Sequence, residues 1–119
     1  MLFGTPDAGD VRCSTRTTSG TMVTVDAGKW YTGTISISAN ISVAGTSIPV
    51  VTVNGTGASP APGTVVARLN LTGLALTTVS DSMTIDVLVL APSENDITID
   101  FTAGASGTSS ATINGFVFG

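Results

Sequence analysis

The side chains that usually carry out catalysis are scarce in this sequence. It contains no histidine, and its only cysteine, lysine and glutamate are Cys13, Lys29 and Glu94. Nucleophilic catalysis requires a base beside the nucleophile. Arg12 and Arg16 lie close to Cys13 in the sequence and could activate its thiol, but no histidine is present to accept the proton. We therefore expect Cys13 to be a bystander thiol.

The aspartates offer two spacings at which a pair of carboxylates could hydrolyse a glycosidic bond. Asp81 and Asp86 flank one short segment, and Asp96 and Asp100 share a face of one predicted strand. Asp86 and Asp100 alternate with apolar residues, which is typical of solvent-facing strand positions. The segment 94–96 is the best candidate for calcium, but the regularly spaced acidic loop of known calcium sites is absent. We expect no enzymatic activity, no cofactor and no metal, and we keep a hydrolase with converging carboxylates as an alternative.

Trp30 and Tyr31 form the only pair of adjacent large aromatic residues. Because neighbouring residues of a strand point to opposite faces, one of the two should enter the core and the other should be exposed. The sequence does not decide which is which. An exposed aromatic ring could stack on a sugar or anchor a protein interface.

The charge of the chain is low and dispersed. Charged residues make up 10% of it, compared with about 25% in typical soluble domains. The four basic residues are scattered and form no patch for nucleic acid. No apolar run is long enough for a membrane helix, and the first residues lack the pattern of a secretory signal. We expect no nucleic acid, no membrane and no signal peptide, and a surface suited to lying against other protein.

Apolar and polar residues alternate at a period of two, which predicts strands. The clearest segment is 34–43, which is long enough that we expect a bend or bulge near Ala39 and Asn40. A second segment, 83–90, becomes apolar on both faces at Leu88 and Leu90. In a third segment Val65, Ala67, Leu69 and Leu71 share one face. The residues predicted to form one core are Ile35, Ile37, Ile41, Leu69, Leu71, Ile85, Val87, Ile99 and Phe101.

Turn-forming residues separate about seven or eight such segments, and no segment shows helical periodicity. The fold class predicted is all-β: a single antiparallel β-sandwich of Greek-key or jelly-roll type over residues 21–119. Residues 1–20 alternate little and are predicted to form a less regular N-terminal arm.

Three of the four phenylalanines lie near the ends of the chain, where apolar side chains are easily left exposed. Burial of one phenylalanine is worth about 1.5–3 kcal/mol, so we expect these side chains to be docked. Both ends can pack on their own sandwich, or one of them can pack on a neighbouring subunit. The candidate interface residues are Leu2, Phe3, Arg12, Arg16, Tyr31, Phe116 and Phe118.

The segment 25–34, Val-Asp-Ala-Gly-Lys-Trp-Tyr-Thr-Gly-Thr, resembles the small Thr/Ala/Gly-rich β-proteins of tailed-phage particles, and so does the Gly/Pro-rich loop 57–63. The resemblance is to proteins of the capsid decoration, or cement, type. It implies a structural virion protein that binds and stabilises the phage head, made in the host cytoplasm and located in the virion. It implies the major capsid protein and other copies of this chain as partners, with a trimer favoured because phage particles have three-fold sites.

A second function is consistent with the same fold. A carbohydrate- or receptor-binding β-sandwich module, as a tail or fibre component, would use Trp30 or Tyr31 together with aspartates and asparagines of the loops. A groove lined by aromatic side chains would favour this alternative.

Overall fold

The computed structural model describes residues 10–74, 76–92 and 96–119. These residues form ten strands and no α-helix, and therefore no helix that is long and apolar enough to cross a membrane. The strands are β1 (Val11–Arg16), β2 (Gly20–Val25), β3 (Trp30–Ile41), β4 (Gly45–Ser47), β5 (Val50–Asn54), β6 (Thr64–Arg68), β7 (Leu71–Gly73), β8 (Val79–Leu90), β9 (Ile97–Thr102) and β10 (Thr108–Phe118).

Eight of the strands form two antiparallel four-stranded sheets. Sheet A has the order β1-β10-β3-β8 and sheet B has the order β2-β9-β5-β6, while β4 and β7 pair separately. With β4 and β7 set aside and the other eight renumbered along the chain, the orders are 1-8-3-6 and 2-7-4-5. This is the wrapping of a jelly roll, in which the chain passes repeatedly from one sheet to the other. The predicted all-β sandwich is confirmed, and of the two topologies considered the strand order is the jelly roll.

The core lies between the two sheets and is filled by every second residue of the long strands. The predicted core is confirmed for the eight residues that are buried, and Ile85 is partly buried because β8 is the edge strand of sheet A. The largest fully buried side chains are Tyr31, Phe101, Ile35, Ile37, Ile41, Ile97, Ile99, Ile113, Val25, Val51, Val53 and Val89.

Two details of the strands differ from the sequence pattern. The bulge expected near Ala39 and Asn40 is absent, because β3 pairs with β8 in continuous register from Trp30 to Ile41. The register instead shifts where β5 pairs with β6, so that Val51 lies opposite Ala67 while Thr52 lies opposite Val65. This bulge turns Val65 away from the face it was predicted to share with Ala67, and its side chain is 41% exposed.

The sandwich begins earlier in the chain than the sequence pattern indicates. Residues 11–16, which fall within the predicted arm, form β1 and pair with β10. Strand β1 was not recognised because its core-side positions are Arg12, Ser14 and Arg16, which give no apolar alternation. Ser14 satisfies its hydroxyl by donating a hydrogen bond to the carbonyl of Met22 at 2.6 Å, which ties β1 to β2. The remainder of the predicted arm, residues 1–9, lies outside the described residues.

The packing of β3 can be tested at Ile37, whose side chain is 1% exposed. Ile37→Ala should lower the free energy of unfolding by about 2–5 kcal/mol, because it removes buried apolar atoms and leaves a cavity. Equilibrium unfolding in urea measures the loss. The matched control is Ser80→Ala at an exposed strand position, which should change stability by less than about 0.5 kcal/mol. Equal, small effects of both substitutions would contradict the register of β3.

Candidate protein-interaction surface

The outward-facing side of sheet A is ordered by the strand register into rows that cross the sheet. One row holds Thr15, Thr112, Ser36 and Thr84, and the next is Ser110, Ser38 and Ser82. Hydroxyl pairs within these rows are hydrogen-bonded across strands: Thr15 to Thr112 at 2.9 Å, Ser36 to Thr84 at 3.0 Å and Ser38 to Ser110 at 2.8 Å. This part of the face is therefore a neutral surface of short side chains that are already paired with one another.

The composition of the same face changes towards the end where β3 begins. The rows there are Phe118, Trp30 and Leu90, followed by Val11, Phe116, Thr32 and Leu88. We call the six apolar side chains of these rows the apolar strip: Val11, Trp30, Leu88, Leu90, Phe116 and Phe118.

Three members of the apolar strip are well exposed, with fractions of 53% for Val11, 38% for Trp30 and 55% for Leu88. The aromatic members contact one another. The rings of Trp30 and Phe118 are stacked with centroids 6.4 Å apart, and those of Phe116 and Phe118 are tilted with centroids 5.7 Å apart. Contacts between rings reduce the freedom of each side chain, so the strip presents a preorganised apolar surface.

The turn before β3 fixes the position of Trp30. Lys29 closes the turn by donating from its N–H to the carbonyl of Asp26 at 3.1 Å, and Gly28 adopts a φ of 80° that favours glycine. The turn is held against the end of β8, because the N–H of Gly28 donates to the carbonyl of Ala91 at 2.7 Å and the N–H of Ala91 donates to the carbonyl of Lys29 at 2.8 Å. Trp30 therefore starts its strand beside Leu90.

Tyr31 lies on the opposite side of the sheet from Trp30 and is fully buried. Its hydroxyl donates to the carbonyl of Arg12 at 2.8 Å, linking β3 to β1. Gly115 leaves room for this ring, since a Cβ there would lie 2.6 Å from the phenolic oxygen. Burial, with a smaller contribution from the charge of Cys13, raises the pKa of the Tyr31 phenol well above its ordinary value. The exposed aromatic of the pair is Trp30, and the interface role predicted for Tyr31 does not agree with its burial.

The other predicted interface residues fall into separate places. Phe116 and Phe118 join Trp30 in the apolar strip. Arg12 and Arg16 lie on the core side of β1, where Arg12 pairs with Asp26 at 3.3 Å and Arg16 donates to the carbonyls of Thr18 and Ser19. Leu2 and Phe3 lie outside the described residues.

Sequence reasoning missed the two strip residues that strand β8 contributes. The sequence does indicate that Leu88 and Leu90 are unusual, because they make the second half of their strand apolar on both faces. Nothing in the sequence points to Val11, because its strand, β1, shows no apolar alternation.

The members of each candidate carboxylate pair lie apart. Asp81 and Asp86 point to opposite faces of β8, because they lie five positions apart in a continuously paired strand. Asp96 precedes β9, and Asp100 lies four residues further on, about 13 Å along an extended chain, on the outer face of sheet B. Asp81 accepts a hydrogen bond from the N–H of Ser82, and Asp96 accepts one from the N–H of Ala27. Within residues 10–74, 76–92 and 96–119, no group of three histidine, cysteine or acidic residues could hold a metal ion. Glu94 and its neighbour in the predicted calcium segment lie outside these residues.

A groove of about 860 Å³ opens at the end of sheet A opposite the apolar strip. Among the described residues that line it, hydroxyl and amide side chains dominate, Asp81 is the one carboxylate and none is aromatic; the polar ones include Ser38, Asn40, Asp81, Ser82, Ser109 and Ser110. It therefore lacks the stacking platform that was expected to favour carbohydrate binding.

Comparison with known proteins adds little to these observations. No protein-family model matches the chain, and no curated protein matches it in sequence. Among solved structures, a chain of infectious bursal disease virus, Gx strain, is similar over 95% of this chain with 13% sequence identity and a TM-score of 0.32. The match spans 41% of that viral chain. Similarity at this level carries no information about function.

Asp100 allows a test of the outer face of sheet B. Partial burial alone would raise the pKa of this carboxyl, but hydrogen bonds from Thr21, Asn54 and Thr98 outweigh burial and hold the pKa below its ordinary value. Because the pKa is lower in the folded state, the stabilisation is present above the pKa of the unfolded chain, about 3.9. It is lost as the pH falls through the folded value.

Asp100→Asn should therefore destabilise the protein at neutral pH, and its difference from the wild type should shrink as the pH falls through the folded-state pKa of Asp100. Urea midpoints of the two proteins across this range measure the effect. Thr21→Val removes one of the three donors and should produce part of the same change. A constant difference between wild type and Asp100→Asn at every pH would contradict the assignment.

Proposed function

We propose that the protein is a structural virion protein, and more specifically a capsid decoration protein that binds and stabilises a phage head through the outer face of sheet A. The observation that carries this proposal is the apolar strip, with Val11, Trp30 and Leu88 all exposed at one end of that face. Exposed apolar clusters on folded proteins commonly mark partner sites. Tryptophan is also enriched among the residues that dominate interface energies.

The rest of the outer face supports a broad protein contact. Its serine and threonine side chains are short, so ordering them against a partner costs little conformational entropy. Cross-strand hydrogen bonds already satisfy several of the hydroxyls, which lowers the cost of removing them from water. The row between the hydroxyl rows and the apolar strip consists of Cys13, Asn114, Thr34 and Asp86, and it adds the one carboxylate of the described rows. A nearly neutral face of this kind suits a large, flat contact with a protein shell.

The proposed partners are the major capsid protein and other copies of this chain, and the proposed location is the assembled particle. We propose no cofactor and no catalytic activity for this role. The carbohydrate- or receptor-binding alternative keeps one feature in its favour, the exposed ring of Trp30. However, the residues beside Trp30 in its row are Phe118 and Leu90. These side chains provide no polar groups to bind sugar hydroxyls.

The proposal is tested by co-sedimentation with purified capsid shells of the encoding virus that lack this protein. Trp30→Ser and Leu88→Ser should each weaken binding by about 1–2 kcal/mol, or roughly 5- to 30-fold, because each removes an apolar contact of the apolar strip.

The matched control is Val43→Ser, since Val43 is 57% exposed but lies outside sheet A. This variant should bind as the wild type does. Equal binding by all three variants would contradict the proposed surface. Failure of the wild type to bind shells, with binding to a glycan array that is lost in Trp30→Ser, would favour the receptor-binding function.

A further inference from the structure

Strand β8 leaves most of one edge open. Its twelve residues pair with β3 along one side. On the other side, the end of the strand is closed by Ser59, whose N–H donates to the carbonyl of Leu90 at 3.2 Å and whose carbonyl accepts from the N–H of Leu90 at 2.8 Å. No described strand pairs with the edge from Ser80 to Leu88. Long open edges can pair with a strand of another chain.

The bonds of Leu90 show which backbone groups face outward along this edge. The N–H and the C=O of Leu90 both point away from β3. In a strand, the backbone groups of successive residues point alternately to one side and the other, so those of the other even-numbered residues of β8 also point away from β3. The N–H of Ser82 agrees with this assignment, since it donates to the carboxylate of Asp81 at 2.8 Å and not to β3. The outward donors and acceptors therefore belong to Ser80, Ser82, Thr84, Asp86 and Leu88.

The core is also incompletely closed along this side. Met83 and Ile85 point inward from β8 yet are only partly buried, and so is Val66 of the facing edge strand β6. Strand β6 has five residues and β8 has twelve, so sheet B does not cover the full length of β8. A strand added to β8 would supply apolar side chains at the same level and bury these three more fully.

We propose that β8 pairs antiparallel with β8 of a second copy of this chain, about a two-fold axis at Thr84, so that the two A sheets join into one sheet of eight strands. The open segment 80–88 is centred on Thr84. The N–H and C=O of Thr84 face outward, so the two copies of Thr84 can exchange both N–H···O bonds, as a hydrogen-bonded antiparallel pair requires.

The side chains nearest the axis are complementary in this register. On the inner face, Met83 of one copy lies opposite Ile85 of the other, which closes the core with apolar atoms. On the outer face, the hydroxyl of Ser82 lies opposite the carboxylate of Asp86. An axis at Asp86 would instead place two carboxylates opposite each other, which is unfavourable. The two-fold contact is independent of capsid binding, and it differs from the trimer that the phage resemblance implies.

The first test is the mass of the free protein by size exclusion with light scattering. The wild type should be a dimer. Thr84→Pro should be a folded monomer. The N–H of Thr84 faces outward in the wild type, so its loss breaks no hydrogen bond to β3, while the proline prevents a second strand from pairing with this edge. Thr84→Lys, which places two like charges on the axis, should dissociate the dimer without altering the backbone. Thr84→Val keeps the donor and should remain dimeric.

The second test locates the contact by cross-linking in a Cys13→Ser background. Two Thr84→Cys residues on the axis would have Cα atoms about 5.5 Å apart, within the range of a disulfide. Oxidation should therefore yield a covalent dimer. Ser36→Cys is the matched control, since Ser36 is exposed on the same face and pairs with Thr84. Its two copies would lie three strand spacings apart, about 14 Å, and should not cross-link.

Either of two results would overturn the proposal. One is a wild type that stays monomeric in light scattering at high concentration. The other is an oligomer whose mass is unchanged in Thr84→Pro and Thr84→Lys, together with equal cross-linking of the two cysteine variants. Neither result bears on the apolar strip, because capsid binding is measured separately with Trp30→Ser, and Trp30 lies in β3, outside the edge segment 80–88.

Discussion

The strand register between β3 and its neighbours β8 and β10 is the constraint on which the surface of this protein depends. Side chains of a strand alternate between its two faces. Because Ile35 and Ile37 of β3 and Ile113 of β10 point into the core, their neighbours along each strand must point outward. A shift of one residue would expose the isoleucines and bury the hydroxyls. Burial of the core therefore determines the outer face as well, including the alignment of Trp30 with Phe118 and Leu90.

This coupling gives a chain with few chemically reactive side chains a well-defined surface. The hydroxyl rows and the apolar strip lie on one face because three long strands hold them in register, and the turn before β3 additionally fixes where Trp30 begins its strand. Tyr31 strengthens the arrangement from the core side by linking β3 to β1. A surface built on long paired strands is preorganised, so little free energy is lost in ordering it when a partner binds. Such a surface is consistent with a structural role.

The sequence predicted the features that follow from period-two alternation, which include the sandwich and nearly all of the core. It failed where another interaction replaced apolar burial. The core side of β1 carries Arg12, Ser14 and Arg16, whose polar bonds to neighbouring backbone and to Asp26 leave no hydrophobic pattern. The exposure of Val65 follows from a bulge that depends on the partner strand. The apolar strip joins residues far apart in the chain, such as Trp30, Leu90 and Phe118, and pairings of that kind are not visible in a local pattern.

Trp30 is the only tryptophan of the chain, and it lies in the proposed contact. Its fluorescence therefore reports directly on the central claim. Emission and acrylamide quenching should be measured for the free protein and for the protein bound to capsid shells, with shells alone subtracted. If Trp30 lies in the contact, it should be readily quenched in the free protein, and binding should shift its emission to the blue and protect it from acrylamide. Bound protein with unchanged emission and unchanged quenching would contradict the account.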